Sequence, residues 1–234
     1  MRQLGYVLTI GYILFFYSER LFWTTFRPGD SFPDYVITWL GYSALAYLFL
    51  ATVSRFQVSK FSAIFVAGAI YGWLCEGTLA ATLYGTPPNP PLPISLICTA
   101  VSWHALISVL VGWHLTRIVL RRNSPWQTLA LSTGIGLFWG CWAPFLWHET
   151  PPVSTSLPSF LLFGCVATAL LTLSYWFSEP FGFDNFKPTK LGFALAVLVI
   201  GAFFVMDVIA LRGLPLLILP PLLIAATLAL RRDQ

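Results

Sequence analysis

Five ionisable residues interrupt the long apolar runs of this sequence: Glu19, Arg20, Glu76, His104 and Asp207. Such residues are costly inside a bilayer, and they usually face the interior of a helix bundle and mark functional sites. In a site of low dielectric, a glutamate can serve as the base that activates water, and a histidine as proton relay or oxyanion donor. We therefore interpret Glu76, His104, Glu19 and Asp207 as the candidate catalytic residues, with Glu76 and His104 as the central pair.

Purely structural roles compete with this interpretation. Glu19 and Arg20 lie near the end of their apolar run, where long side chains can reach the lipid headgroups. Arg20 can instead neutralise Glu76 or Asp207 and fix the arrangement of the helices, because intramembrane charges generally pair. On this argument, Arg20 should lie within hydrogen-bonding reach of one of those two carboxylates.

Aromatic and small residues surround the candidate pair. Gly72 and Gly77 flank Glu76 and should allow close helix approach, and Ser108, one turn beyond His104, should hold the second nitrogen of its ring. Deep tryptophans can line a cavity for an apolar or lipid-like ligand, although core packing is the simpler role for any one of them. The candidate ligand-binding residues are Arg20, Trp73, Trp103, Trp139, Trp142 and His148.

The sequence gives little indication of a metal. Its four cysteines, Cys75 among them, all fall inside apolar runs without metal-ligand spacing, which is typical of small buried hydrophobic residues. The candidate pair lacks the H-E-x-x-H spacing of a helical zinc site. We therefore predict no metal ligands, and the sequence indicates no particular cofactor.

The composition defines the environment of these residues. The chain has 234 residues, of which 57% are apolar and only 9% charged, with a mean hydropathy of +0.77. This charge content is too low to cover a water-soluble globule, and it excludes a cytosolic enzyme, a nucleic-acid binder, a disordered chain and a disulfide-rich secreted domain. The expected partners are membrane lipids and not nucleic acid, and the sequence does not indicate whether other subunits bind.

Apolar runs of about 20 residues predict an all-α, polytopic transmembrane helix bundle of about eight spans. The last run is short, about 22 Å by helical rise, and Pro220 and Pro221 interrupt it, so seven spans result if it is re-entrant. Without a linker or repeat, residues 1–234 should form a single integral membrane domain. The predicted spans are Leu4–Phe26, Tyr35–Val53, Phe61–Tyr84, Ile94–Leu120, Thr128–Trp147, Phe160–Phe177, Leu191–Leu211 and Leu216–Leu230.

The basic residues predict the orientation. With eight spans, ten of the thirteen Lys and Arg residues fall on the side of both termini and two on the other side, while Arg20 lies within the first span. The positive-inside rule then makes both termini cytoplasmic in a multi-pass protein of the plasma membrane. Glu19, Glu76 and Asp207 should lie in the outer half of the bilayer, and His104 near its midplane.

The positions of Glu76 and His104 on successive predicted helices resemble the CAAX-protease-like (CPBP) family of intramembrane hydrolases. That family has a glutamate-rich motif on one helix and catalytic histidines on later helices, so the resemblance implies that Glu76 and His104 are catalytic. The chain departs from the family pattern because Cys75 stands where the first of two paired glutamates is expected. The arginine that follows the pair, and the second histidine with its partner asparagine, are missing.

Three classes of function fit these features. The preferred one is a membrane-embedded hydrolase or lipid-modifying enzyme with an outward-facing polar pocket and a Glu/His pair. The second is a proton-coupled carrier or channel that uses the same residues, although no inverted repeat is visible. The third is a non-catalytic accessory subunit that binds lipid, pigment or another membrane protein.

Overall fold

The computed structural model describes residues 2–20, 31–120, 126, 129–130, 133–134, 156–181 and 185–232. All secondary structure in these residues is helical, which agrees with the predicted all-α class. A short 3-10 turn, Thr82–Tyr84, follows the third helix. The helices with described ends are α1 (Arg2–Phe15), α2 (Phe32–Arg55), α3 (Phe61–Leu74), α4 (Ser95–Leu120), α5 (Leu157–Ser178), α6 (Lys190–Ala210) and α7 (Leu214–Arg232).

Three segments of these helices have the wider π-helical geometry. Phe16–Arg20 continues α1, Cys75–Leu79 continues α3, and Ala100–Leu115 forms most of α4. Within α4 the backbone N–H of His104 donates to the carbonyl of Thr99, five residues earlier, at 3.1 Å. π-helical turns are rare and are frequent at functional sites. All three segments carry residues that the sequence had indicated as functional candidates.

Six helices are long and apolar enough to cross a membrane: α2, α3 with its π turn, α4, α5, α6 and α7. They correspond to the second, third, fourth, sixth, seventh and eighth predicted spans. The first predicted span begins with α1 and continues beyond the described residues, and the fifth, Thr128–Trp147, lies largely outside them. The count of eight spans and the orientation of the termini therefore stay predictions.

The last helix corrects one detail of the sequence prediction. Pro220 and Pro221 do not interrupt α7, which continues through both of them to Arg232. Each proline removes one helical N–H donor, but membrane helices tolerate this where neighbouring groups satisfy the freed carbonyls. The 19-residue helix is about 28 Å long by helical rise, rather than 22 Å.

Helices α1, α2, α3 and α4 form the centre of the bundle, and α6 lies at its edge. In the most apolar window of α3, 67% of the residues are buried, compared with 11% in α6. Glycines bring the central helices together: a Cβ on Gly11 would lie 2.3 Å from Oγ of Ser43, and one on Gly112 would lie 2.5 Å from the ring of Tyr17. Small residues at such crossings permit the close packing typical of membrane helices.

Candidate functional site

The structure brings Glu76 and His104 into direct contact. Nε2 of His104 lies 2.6 Å from Oε1 of Glu76, and the two residues are only 2% and 5% exposed. Gly72, one turn before Glu76, lets α3 approach α4 closely, because a Cβ there would lie 2.0 Å from the carbonyl oxygen of Ala100. Close approach of the two helices places the carboxylate and the ring side by side.

The second ring nitrogen of His104 is held by Ser18, which the sequence analysis had not singled out. Oγ of Ser18 lies 3.0 Å from Nδ1 of His104 and 3.0 Å from Oγ of Ser108. It also lies 3.3 Å from the hydroxyl of Tyr71. The expectation that Ser108 itself holds the ring is therefore wrong, since the π turn after α1 inserts Ser18 between them. Ser108 instead contacts the hydroxyl of Ser18, which in turn contacts the ring.

Cys75 forms a third branch of this network. Its sulfur, a carboxylate oxygen of Glu76 and a ring nitrogen of His104 lie within 4.8 Å of one another. The thiol donates to the hydroxyl of Tyr42 at 3.3 Å, and that hydroxyl donates to Oε1 of Glu19 at 2.7 Å. The interpretation of Cys75 as a plain buried hydrophobic residue is thus incomplete, because the thiol is hydrogen-bonded to Tyr42, the partner of Glu19, and lies within 4.8 Å of Glu76 and His104.

One polar atom at the centre of the network has no hydrogen-bond partner in the part of the chain that the structure describes. Oε2 of Glu76 is buried and has no hydrogen-bond partner among the described residues. Buried polar atoms are nearly always hydrogen-bonded, because an unsatisfied one loses its hydration without compensation. A neutral His104 can accept from Ser18 at Nδ1 and donate to Glu76 from Nε2. That arrangement leaves Oε2 as the free acceptor of the site.

Arg20 lies elsewhere than the sequence predicts. Its buried guanidinium lies over the rings of Phe15 and Tyr35, 4.7 Å and 4.2 Å from their centroids. Within the described part of the chain, no ion pair joins Arg20 to Glu76 or Asp207, so the expected pairing is wrong. Aromatic faces attract the cation, and the contacts of Glu76 run to α4.

The structure gives other positions or roles to the remaining candidates that it describes. Asp207 of α6 is half-buried, and no hydrogen bond between described residues connects it to the pair. The indole N–H of Trp73 donates to the carbonyl of Leu96 at 2.9 Å, and that of Trp103 donates to the carbonyl of Tyr17 at 3.2 Å. The first hydrogen bond joins α3 to α4, and the second joins α4 to the π turn after α1. The remaining candidates lie outside the described residues: Trp139, Trp142 and His148.

A large groove, which the sequence analysis did not predict, runs between α1, α2 and α5. Its volume is about 940 Å³, and most of its lining is apolar. Arg2, at the start of α1, and Arg20, at the end of the π turn that follows α1, both line the groove. No pattern within a single helix indicates this groove, because α1 and α5 are far apart in the sequence. Arg20 lines the groove two residues after Ser18 on the same π turn, whereas Ser18, Cys75, Glu76 and His104 are not among the described residues that line it.

These features define an all-helical protein of membrane type, with a buried network of Glu, His, Cys and Ser side chains where α1, α2, α3 and α4 meet. No family model matches the chain, and neither the curated proteins nor the solved structures contain a significant match. The resemblance to the CAAX-protease-like family therefore rests on Glu76 and His104 alone.

Proposed function

We propose that this chain is a multi-pass enzyme of the plasma membrane that hydrolyses a lipid-like substrate with Glu76 and His104 as an acid–base pair. The observation that carries the proposal is the 2.6 Å contact between Nε2 of His104 and Oε1 of Glu76 inside a buried polar network. A positioned acid–base pair typically contributes 10²–10⁴-fold to a rate. Burial strengthens its electrostatic interactions with a reacting group.

In the proposed reaction, Glu76 takes a proton from water as the water oxygen forms a bond to an electrophilic ester carbon. As the carbon–oxygen bond breaks, the proton that Glu76 took passes to the leaving oxygen with His104 as the relay, so the pair ends with the proton count it began with. Ser18, 3.0 Å from Nδ1, fixes the plane of the ring throughout. Oε2 of Glu76, without a partner among the described residues, is the acceptor available to the water.

The groove supports a lipid-like substrate of defined chemistry. Arg2 and Arg20 are separated along α1 and its π turn by about 27 Å of helical rise, which is close to the hydrocarbon thickness of a bilayer, about 30 Å. An amphiphile with an acyl chain therefore fits along the apolar lining, with its anionic group at the Arg20 end. The split of basic residues predicts that Arg20 lies in the outer half of the bilayer, and the proposed site would then open outward.

The test uses the purified chain in vesicles of phosphatidylglycerol or phosphatidylcholine, suspended in ¹⁸O-labelled water. Mass spectrometry should find ¹⁸O in released fatty acid, with a preference for the anionic lipid that Arg20→Gln removes. Glu76→Gln keeps the shape of the side chain and should lower the rate at least about 100-fold. The matched control is Glu179→Gln, the same change just after α5, which should leave the rate unchanged.

The double variant distinguishes a pair from two independent groups. Glu76→Gln with His104→Gln should be little slower than either single variant, because residues that act as a unit lose their effect together. Additive losses would argue against the pair. Full activity in Glu76→Gln would leave this residue only a packing role.

One observation favours a proton-coupled carrier as the second candidate. The contacts from Glu19 through Tyr42 to Cys75, and from Cys75 to the Glu76–His104 pair, form a chain of polar groups from a half-buried carboxyl to the buried site. In vesicles with an entrapped pH-sensitive dye, this function predicts a proton flux that Glu19→Gln abolishes, with no ¹⁸O incorporation into lipid.

A further inference from the structure

We infer that Cys75, Glu76 and His104 together bind a single transition-metal cation, with Zn²⁺ as the best fit to their chemistry. Their ligand atoms lie within 4.8 Å of one another, and all three residues are buried. The sequence spacing had predicted no metal. The inference names a cofactor for the proposed hydrolytic site: with the ion bound, His104 would hold the metal instead of relaying a proton, and Oε2 of Glu76 would stay the acceptor for the water. The metal site itself does not depend on that function.

The ligand set is one that zinc uses. A thiolate, an imidazole and a carboxylate are all common zinc ligands, and three protein ligands leave the fourth position open for water, as in catalytic sites. Tetrahedral zinc with bonds of about 2.0–2.3 Å sets its ligand atoms about 3.3–3.8 Å apart. The three observed atoms lie within 4.8 Å of one another, with Nε2 and Oε1 at 2.6 Å, so shifts of about 1 Å would bring them to these distances.

Neighbouring side chains already orient two of the three ligands. Ser18 contacts the outer ring nitrogen of His104 at 3.0 Å, and Tyr42 contacts the thiol of Cys75 at 3.3 Å. Metal-bound histidines almost always use their second nitrogen in this way, and such outer contacts fix both the tautomer and the direction of the ligand.

The carboxylate supplies an independent observation. Oε2 of Glu76 is buried and unpartnered among the described residues, while Oε1 lies 2.6 Å from Nε2 of His104. A metal ion would replace the proton between Nε2 and Oε1 and move these atoms slightly apart. Oε2 would then accept a hydrogen bond from a water molecule on the metal.

Charge balance favours a divalent ion at this depth. A thiolate from Cys75 and a carboxylate from Glu76 carry two negative charges, and a neutral His104 adds none. One Zn²⁺ therefore gives a site of zero net charge, which a low-dielectric interior accommodates far better than an uncompensated charge. When bound, the ion would activate the water that attacks the substrate.

The experiment measures metal in the full chain, purified through a tag that lacks histidines from cells grown with zinc. Mass-spectrometric metal analysis should find one zinc per chain, and Cys75→Ala should lose it. The matched control is Cys98→Ala, which removes an exposed cysteine of α4 and should retain the metal. Replacing zinc by Co²⁺ in the unmutated chain should produce a thiolate-to-cobalt charge-transfer band, a readout that does not depend on how any variant folds.

The outcomes separate the metal from the hydrolase. If the unmutated chain holds no more zinc than Cys75→Ala and shows no cobalt–thiolate band, the metal site is overturned. That conclusion stands even if lipid hydrolysis that depends on Glu76 persists. One zinc per chain that survives Cys75→Ala would also overturn it. Stoichiometric zinc that Cys75→Ala removes, in a protein that hydrolyses no lipid, would sustain the metal site while refuting the proposed reaction.

Discussion

Ser18 is the residue that fixes the orientation of His104 in the proposed site. Its hydroxyl contacts Nδ1 of the ring at 3.0 Å, and the hydroxyls of Ser108 and Tyr71 hold it from the other side. Ser18 does not touch the proposed reacting atoms, so it is a positioning residue that acts through the histidine. Loss of its hydroxyl should leave the ring held by Glu76 at Nε2 but without its partner at Nδ1.

We expect Ser18→Ala to lower the hydrolysis rate or the metal affinity about 10–100-fold, the usual cost of removing an outer partner of a histidine. Ser18→Thr keeps a hydroxyl and should restore most of the loss. The control is Ser102→Ala, on the exposed side of α4, which should change neither quantity. The measurements are the initial rate across pH and a competitive zinc titration. An unchanged pH profile and affinity in Ser18→Ala would contradict this role.

For single residues, the sequence identifies the charged members of the site better than the side chains that contact them. Glu76 and His104 stand out because ionisable side chains are rare in apolar runs. Cys75 and Ser18 do not stand out, since small residues are common in membrane helices for packing alone. For Arg20, the sequence predicts the wrong partner. The rule that intramembrane charges pair with opposite charges overlooks the aromatic rings that contact its guanidinium.

The helices themselves follow from the apolar runs, whereas their π-helical geometry does not. Five predicted spans match observed helices to within three residues at each end, and the third ends at Tyr84, five residues beyond its helix. The agreement arises because about 20 apolar residues can satisfy their backbone in a bilayer only as a helix. The same residue types favour α- and π-helical turns alike. The π turns that hold Ser18, Cys75 and Glu76 were therefore not predictable from composition.

Close contact between α3 and α4 can be tested at Gly72. A Cβ there would lie 2.0 Å from the carbonyl oxygen of Ala100 and 3.0 Å from Cβ of His104. Gly72→Ala should therefore push the helices apart and lower the free energy of unfolding by about 1–3 kcal/mol, as overpacking usually does. Thermal unfolding in detergent measures the effect, and the rate of lipid hydrolysis should fall with it.

Gly201 of α6 provides the matched control for this change, since a Cβ there meets nothing within 4 Å. Gly201→Ala should be neutral or slightly stabilising, because alanine favours a helix over glycine by about 1 kcal/mol. Equal destabilisation by the two substitutions would indicate a general effect of alanine and not a contact of α3 with α4.

For the molecule as a whole, the basic residues predict an orientation that reporter fusions can test. Fusions at Gln57, Asn123 and Gln234 should report a cytoplasmic location, and fusions at Asn89 and Ser154 an exterior one, because the predicted eight spans put ten basic residues on the side of the termini and two on the other. Paired alkaline phosphatase and fluorescent-protein fusions give opposite signals and serve as mutual controls. An exterior signal at Asn123 would reverse the predicted depths of Glu76 and His104.

The arrangement of the helices around one another is the part that the sequence does not supply. The groove between α1, α2 and α5, and the meeting of four helices at the Glu76–His104 pair, depend on contacts between residues far apart in the chain. Ser18 and His104, for example, are separated by 86 positions. Periodicity within a helix carries no information about such pairs, particularly where nearly every position is apolar.

The proline pair of α7 has a mechanical consequence. Pro220 and Pro221 have no N–H to donate, so the carbonyls of Leu216 and Leu217 cannot form the usual helical bonds, and α7 bends there at less cost than elsewhere. Leu219, between these positions, packs against Gly77, next to Glu76. When the bilayer thins or thickens, the mismatch with the length of the bundle will be taken up by flexing at this point, beside the polar site.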